Sequence, residues 1–192
     1  MSTARFNDVV KRLALPRAPI TQRTFTRWLV VPLYAVFGML VYLALFGTVV
    51  LNATDSLHAN GFFALKYPKP MIRGAVVVVP PPDRFADKFE GLVFAKRLIG
   101  RPGDVITRKG SSVCIAGDCF AQGHKNGAPF GTLLAEGAIP KGFIAPMGET
   151  ANSLDSRYAE VGLFQIKDVI AVGFAIPHFP HWSKLKVAEV RP

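Results

Sequence analysis

The sequence predicts a mainly β protein carried on one N-terminal transmembrane helix, and three observations predict it. Trp28 to Leu51 is a 24-residue run without a charged side chain. At roughly 1.5 Å per residue it can cross a hydrocarbon core about 30 Å thick. Beyond it, short β-branched and aromatic segments are punctuated by Gly and Pro, the pattern of an antiparallel β domain. At 192 residues the chain has room for one anchor and one compact domain. The expected organisation is a basic segment 1–27, an anchor 28–51 and an outer domain 52–192.

Pro32 falls in the first turns of the expected anchor, where a missing backbone donor does least harm. Trp28 and Tyr34 stand near the depth usual for interfacial aromatic anchors. The run exceeds the roughly 7–15 apolar residues of a cleavable signal peptide, and no small-x-small site follows it. Before Trp28 stand Arg5, Lys11, Arg12, Arg17, Arg23 and Arg27 against the single acid Asp8, a net +5 out of +10 for the whole chain. Positive flanks are retained in the cytoplasm. The expectation is therefore a single-pass membrane protein with its N-terminus in the cytoplasm and everything after Leu51 outside. A pI near 10.0 raises nucleic acid as a partner, but no basic stripe with interleaved aromatics is present. Attraction of the basic segment to anionic lipid accounts for half the charge. Phe6, Val9, Val10 and Leu13 have helical spacing and admit two fates, an amphipathic helix on the inner leaflet or a frayed tail.

In the outer domain, Phe62, Phe63, Leu65 and Tyr67 are either core or an apolar apron resting on the bilayer. Ile72 to Val79 reads as a strand stopped by Pro80 to Pro82. Arg84 to Glu90 is a polar, helix-compatible insertion. Leu92 to Ile99 and Val105 to Lys109 are the next strands. Cys114 and Cys119 bracket Gly117-Asp118 turn chemistry, and a disulfide closing that hairpin is expected in an oxidising compartment. Two thiolates cannot complete a zinc site and no histidine has helpful spacing, so no metal and no cofactor is expected. Ile139-Pro140-Lys141-Gly142 fits a type I turn with Pro second and Gly fourth. Val169 to Ile176 is the last clear strand, before the Pro177 to Trp182 segment.

Ser56 follows the apolar run by five positions. A serine nucleophile needs a base within reach and donors for an oxyanion. His58, His124, His178 and His181 all read as surface residues. Lysine serves instead where burial disfavours its charged form. In an extended Leu92 to Ile99, Lys96 shares a face with Leu92, Phe94 and Leu98, while Arg97 points the other way. The opposing reading is a lysine snorkelling to solvent from an edge strand.

Three ordered segments carry a family resemblance. Asn52-Ala-Thr-Asp-Ser56, Lys96-Arg97 with Gly100-Arg-Pro-Gly-Asp104, and Gly148-Glu-Thr-Ala-Asn-Ser153-Leu-Asp155-Ser-Arg157-Tyr158 resemble the boxes of type I signal peptidases. Pro140 to Gly148 matches the strand and turn leading into the last box. The resemblance implies a catalytic domain of the signal-peptidase fold, with Ser56 as nucleophile and Lys96 as general base. It implies that the Thr54 hydroxyl assists the Ser56 amide in an oxyanion hole, and that Ser153 orients the lysine amine. Asp155 and Arg157 match a supporting ion pair, and Asp104 a tight turn fixing the lysine strand. The partners implied are precursor proteins with signal peptides, at the surface of the lipid bilayer. The resemblance also makes that membrane a bacterial inner membrane and the outer side the periplasm. Five extended residues reach at most about 17 Å from Leu51, which keeps Ser56 near the membrane.

The departures are specific. Leu57 stands where housekeeping signal peptidases usually carry Met, and His58-Ala59 where a proline often follows. The last box is one residue shorter and has Glu149 in place of its usual Asp. The short box and the Asn-x-Thr-x-Ser approach look most like the TraF-type peptidases of conjugative transfer, which mature pilin precursors. The alternatives are a broad housekeeping signal peptidase and a silent membrane-anchored scaffold of a transfer complex. Self-cleaving repressors also use Ser and Lys, but carry a DNA-binding head where this chain has an apolar run.

Overall fold

The computed structural model describes residues 22–51 and 56–177. The Phe6–Leu13 pattern, Thr54, His178 and His181 lie outside the described residues. The chain forms two units, residues 1–42 and 43–192.

Among the described residues the one α-helix, α1, spans Gln22–Phe46. Its Trp28–Phe46 part is long and apolar enough to cross a membrane, with a mean hydropathy of 2.3 and no burial within the protein. The apolar part starts at Trp28, as the expected anchor does, but the helix that contains it has different bounds from 28–51. The helix begins six residues before Trp28, so Pro32 lies in its interior and removes one intrahelical hydrogen bond, a feature membrane helices tolerate. It also stops short of Leu51. Residues Gly47–Leu51 form a strand, β1, that pairs antiparallel with β2, Gly61–Leu65. Hydropathy alone could not separate the two, because Thr48, Val49 and Val50 are as uncharged as the helix. What separates them is the pairing of Gly47–Leu51 with β2, which the β-branched Thr48, Val49 and Val50 suit. A Cβ on Gly47 would lie 2.4 Å from the Leu43 carbonyl oxygen, so only glycine fits the junction. The Lys66 amide then donates to the freed Phe46 carbonyl at 2.8 Å.

The remaining strands are β3 (Val76–Val79), β4 (Phe94–Gly100), β5 (Val105–Lys109), β6 (Ser112–Ile115), β7 (Asp118–Ala121), β8 (His124–Lys125), β9 (Ala128–Pro129), β10 (Gly137–Ala138), β11 (Phe143–Met147), β12 (Phe164–Gln165) and β13 (Ala171–Ala175). Five of them join β1 and β2 in one seven-stranded antiparallel sheet, in the order β1-β2-β13-β3-β4-β11-β12. A second sheet runs β10-β5-β6-β7, and β8 pairs with β9. The protein is mainly β and antiparallel, as its strand and turn pattern predicts.

Four valines make β3 fully buried, which is why their run shows no alternation. The polar insertion forms two short 3-10 turns, Asp83–Phe85 and Asp87–Phe89. The turn before β11 differs from expectation. The Phe143 amide donates to the Pro140 carbonyl at 3.1 Å, and Gly142 has φ +87°. That is a type II turn one residue later, with glycine in the third position where a positive φ is required. Cys114 and Cys119 face each other across β6 and β7 and are disulfide-bonded. The aromatic segment divides between its two expected fates. Phe62 is core, whereas Phe63 and Tyr67 are exposed. Val49, Phe63 and Phe174 stand side by side on β1, β2 and β13, all exposed.

Candidate active site

Lys96 sits inside β4, paired with Val77 of β3, and only 5% of it is exposed. Strand alternation aims it to the same side as Phe94 and Leu98, both buried. Leu92, expected on that face, precedes the strand and is exposed. The amine lies 5.6 Å from the Phe94 ring centroid and donates to Ser153 Oγ at 2.9 Å. Burial pushes its pKa down from 10.5 to about 8, against an opposing pull from the Asp155 charge and with a smaller push from Arg157.

Ser153 is delivered by the loop after β11, and the close approach depends on Gly148. A Cβ there would lie 2.0 Å from Ser153 Oγ. Asp155 and Arg157, both fully buried, hold this loop in shape. Arg157 donates from Nε and NH2 to the two Asp155 oxygens, each at 2.9 Å. It also donates to the Gly148 and Ala121 carbonyls at 2.9 and 2.8 Å. Asp155 accepts from the Gly148 amide at 2.7 Å and the Arg157 amide at 3.0 Å. A buried ion pair is tolerable only when its remaining donors and acceptors are met in this way.

Ser56 is 6% exposed, and its carbonyl accepts from the Glu149 amide at 2.8 Å. Ser56, Lys96 and Ser153 line one cavity of about 870 Å³, with Val49, Phe89, Leu92, Phe130 and Ile170 among its apolar walls. Asp104 lies outside it. There the Arg101–Asp104 turn is closed by the Asp104 amide to the Arg101 carbonyl at 3.0 Å, with Gly103 at φ +88°. Arg73 grips the Asp104 carboxylate at 3.0 and 2.9 Å. Partial burial raises the Asp104 pKa, but hydrogen bonds from Arg73 and the Arg101 amide, with both arginine charges, hold it below the usual range. The disulfide lies in the four-stranded sheet, away from the cavity lining.

A cluster absent from the sequence reading joins these parts. Glu149 Oε2 accepts from the His58 amide at 2.7 Å and lies 2.6 Å from His58 Nδ1. Its other oxygen accepts from Arg97 Nε at 2.7 Å and also contacts Arg97 NH2. Burial raises the Glu149 pKa, but the His58 amide and the Arg97 guanidinium outweigh it and hold the carboxyl low. Thus one carboxylate ties the segment two residues after Ser56 to the residue after Lys96. The signal for it was Glu149 standing where an Asp is usual.

Among solved structures, a signal peptidase I from Enterococcus faecalis V583 matches with a TM-score of 0.33 and 21% identity, over 54% of this chain and 96% of that one. A curated relative, signal peptidase I P of Bacillus subtilis subsp. natto, is 31% identical over 129 residues. The alignment takes in 62% of this chain and 65% of that protein, so the chain spans just under two thirds of the relative's length. The family described as signal peptidase, peptidase S26, matches residues 22–177, from the start of the apolar helix past the last strand. By that match the chain belongs to the signal peptidase S26 family, a family of serine endopeptidases.

Proposed function

We propose that this protein is a membrane-anchored serine endopeptidase that removes signal or leader segments from exported precursors. The observation that carries the reading is a buried lysine amine, held by Ser153, in the same cavity as a buried serine. In the proposed reaction neutral Lys96 takes the Ser56 proton as Oγ attacks the scissile carbonyl, forming a tetrahedral oxyanion. The Ser56 amide and the Thr54 hydroxyl stabilise it. Collapse breaks the peptide bond, and protonated Lys96 gives its proton to the leaving amine. Water then attacks the ester, with Lys96 again as base, and frees Ser56. An incoming amine in place of water joins two chain ends instead. Lys96 suits this role because desolvation brings its pKa close to neutrality, where base and conjugate acid are both accessible. Asp155, Arg157 and Asp104 support the walls without touching the reacting atoms.

In this reading α1 is a single-pass anchor with its basic flank in the cytoplasm and the β domain in the periplasm. The exposed row of Val49, Phe63 and Phe174 rests on the lipid surface. The shortened last box with Glu149 favours a conjugative pilin precursor or a related transfer protein as substrate. The 31% identity to a signal peptidase I equally supports a housekeeping role with broad substrates.

Co-expression with a candidate pilin precursor tests the reading, with precursor mass followed in membranes for wild type, Ser56→Ala and Lys96→Ala. Processing by wild type, abolished in both folded and inserted variants, supports the pair. The product mass, with or without loss of one water, separates joining from hydrolysis. Normal processing by either variant rejects the assignment.

A further inference from the structure

The charges that line the candidate cavity among the described residues are all of one sign. Among the described residues its only ionisable side chains of the acid or basic classes are Lys66, Lys88 and Lys96, and no Asp or Glu lines it. Lys96 is buried and committed to Ser153. Lys66 and Lys88 are different, since both are exposed and stand on separate elements. Lys66 follows β2, its backbone fixed by the hydrogen bond that its amide donates to the Phe46 carbonyl. Lys88 lies in the Asp87–Phe89 turn with its ammonium 5.8 Å from the Phe89 ring centroid. Its acidic neighbours Asp87 and Glu90 do not line the cavity. The remaining walls are largely aliphatic and aromatic, and a cleft with low-dielectric walls and charges of one sign focuses its field on whatever enters.

We propose that Lys66 and Lys88 determine specificity by selecting precursors that carry an acidic side chain close to the scissile bond. The inference rests on Ser56 and Lys96 being the reacting pair, and it narrows the substrate from any exported precursor to one with a carboxylate flanking the cleaved peptide. Each ammonium offers the carboxylate a charge-assisted hydrogen bond at the rim of an apolar cleft. A basic side chain at the same place meets uncompensated like charge.

The test uses the full-length protein in neutral detergent micelles and a peptide series ending its apolar segment in Ala. Glu, Gln or Lys is placed singly at each position on either side of the scissile bond. The expected result is a kcat/KM preference of Glu over Gln by about fivefold at one position or more, with Lys disfavoured there. Lys66→Glu or Lys88→Glu then removes or inverts that Glu-to-Gln ratio, and the corresponding Lys→Gln variant abolishes it without inversion. Equal kcat/KM for the three peptides at every position overturns the proposal, as does a ratio untouched by both reversals. Ser56-dependent turnover in those cases leaves the protease reading standing. Absence of any Ser56-dependent turnover removes that reading and this one together. Repeating the assay in phosphatidylcholine and phosphatidylglycerol vesicles separates lipid from peptide. Reversals that change only the vesicle dependence, and not the Glu-to-Gln ratio, assign the lysines to lipid phosphate and overturn the proposal.

Discussion

Lys96 makes the sharpest residue-scale prediction. In the proposed reaction only the neutral amine can accept the Ser56 proton, so kcat/KM should rise with pH along a limb of apparent pKa about 8, falling about tenfold per unit below it. The same shift enters stability with a defined sign. The folded pKa is depressed from 10.5 to about 8, so between those values the unfolded chain binds more protons than the folded one. Stability therefore rises with pH across that window. Lys96→Met should abolish processing while raising Tm at neutral pH and flattening that slope, as thermal unfolding at several pH values would show. A Tm lowered by Lys96→Met would mean the amine is a structural partner. Glu149 behaves differently because it joins two segments. Glu149→Gln keeps the shape but weakens both the Arg97 and His58 contacts. It should lower kcat by about tenfold to a hundredfold with KM nearly unchanged, and a change confined to KM would place Glu149 with substrate instead.

At the scale of elements, the loop after β11 and the β6–β7 hairpin separate by their distance from chemistry. Asp155→Ala leaves the Arg157 charge buried without its counterion, and should destabilise the protein by about 3–5 kcal/mol, measured by denaturant unfolding. A loss below about 1 kcal/mol would show that the loop relaxes to solvent. The disulfide closes a loop of sequence separation 5, so replacing both cysteines by serine should cost about 2 kcal/mol. Because the bond lies outside the cavity lining, kcat/KM at moderate temperature should not change. Sequence legibility at this scale followed the strength of local punctuation. The prolines after Val79 mark the end of β3, and the Gly-Asp turn between the cysteines marks the β6–β7 hairpin. The start of β3 is Val76 rather than the expected Ile72, because a turn occupies Arg73-Gly74. The end of α1 was not legible, since Thr48 to Leu51 carry no charge and their strand character comes from pairing with β2. Pro-x-Gly suits either of two turn types, and the structure takes the Pro140–Phe143 turn, one residue later than the Ile139–Gly142 turn the sequence predicts.

For the whole molecule, the exposed row of Val49, Phe63 and Phe174 gives the remaining prediction. A Phe63→Ser, Phe174→Ser double variant removes two aromatic rings from the surface and none from the cavity lining. It should slow cleavage of a membrane-embedded precursor several-fold while leaving a soluble peptide substrate unaffected, as parallel assays in vesicles and detergent would read. Equal rates on both substrates would reject lipid contact by this row. What the sequence determined by itself is whatever depends on near neighbours along the chain: one apolar helix, short strands between Gly and Pro, the hairpin cysteines, and the residue types that suit acyl transfer. Tertiary structure decided how distant segments meet. Ser153 lies 57 residues from Lys96 and reaches it only because Gly148 leaves space for its hydroxyl. Glu149, 91 residues from His58, ties the serine segment to the lysine strand. Burial of the Lys96 amine, and with it the shift toward a base usable near neutral pH, comes from that packing, because desolvation is a property of the surroundings that no local run of residues contains.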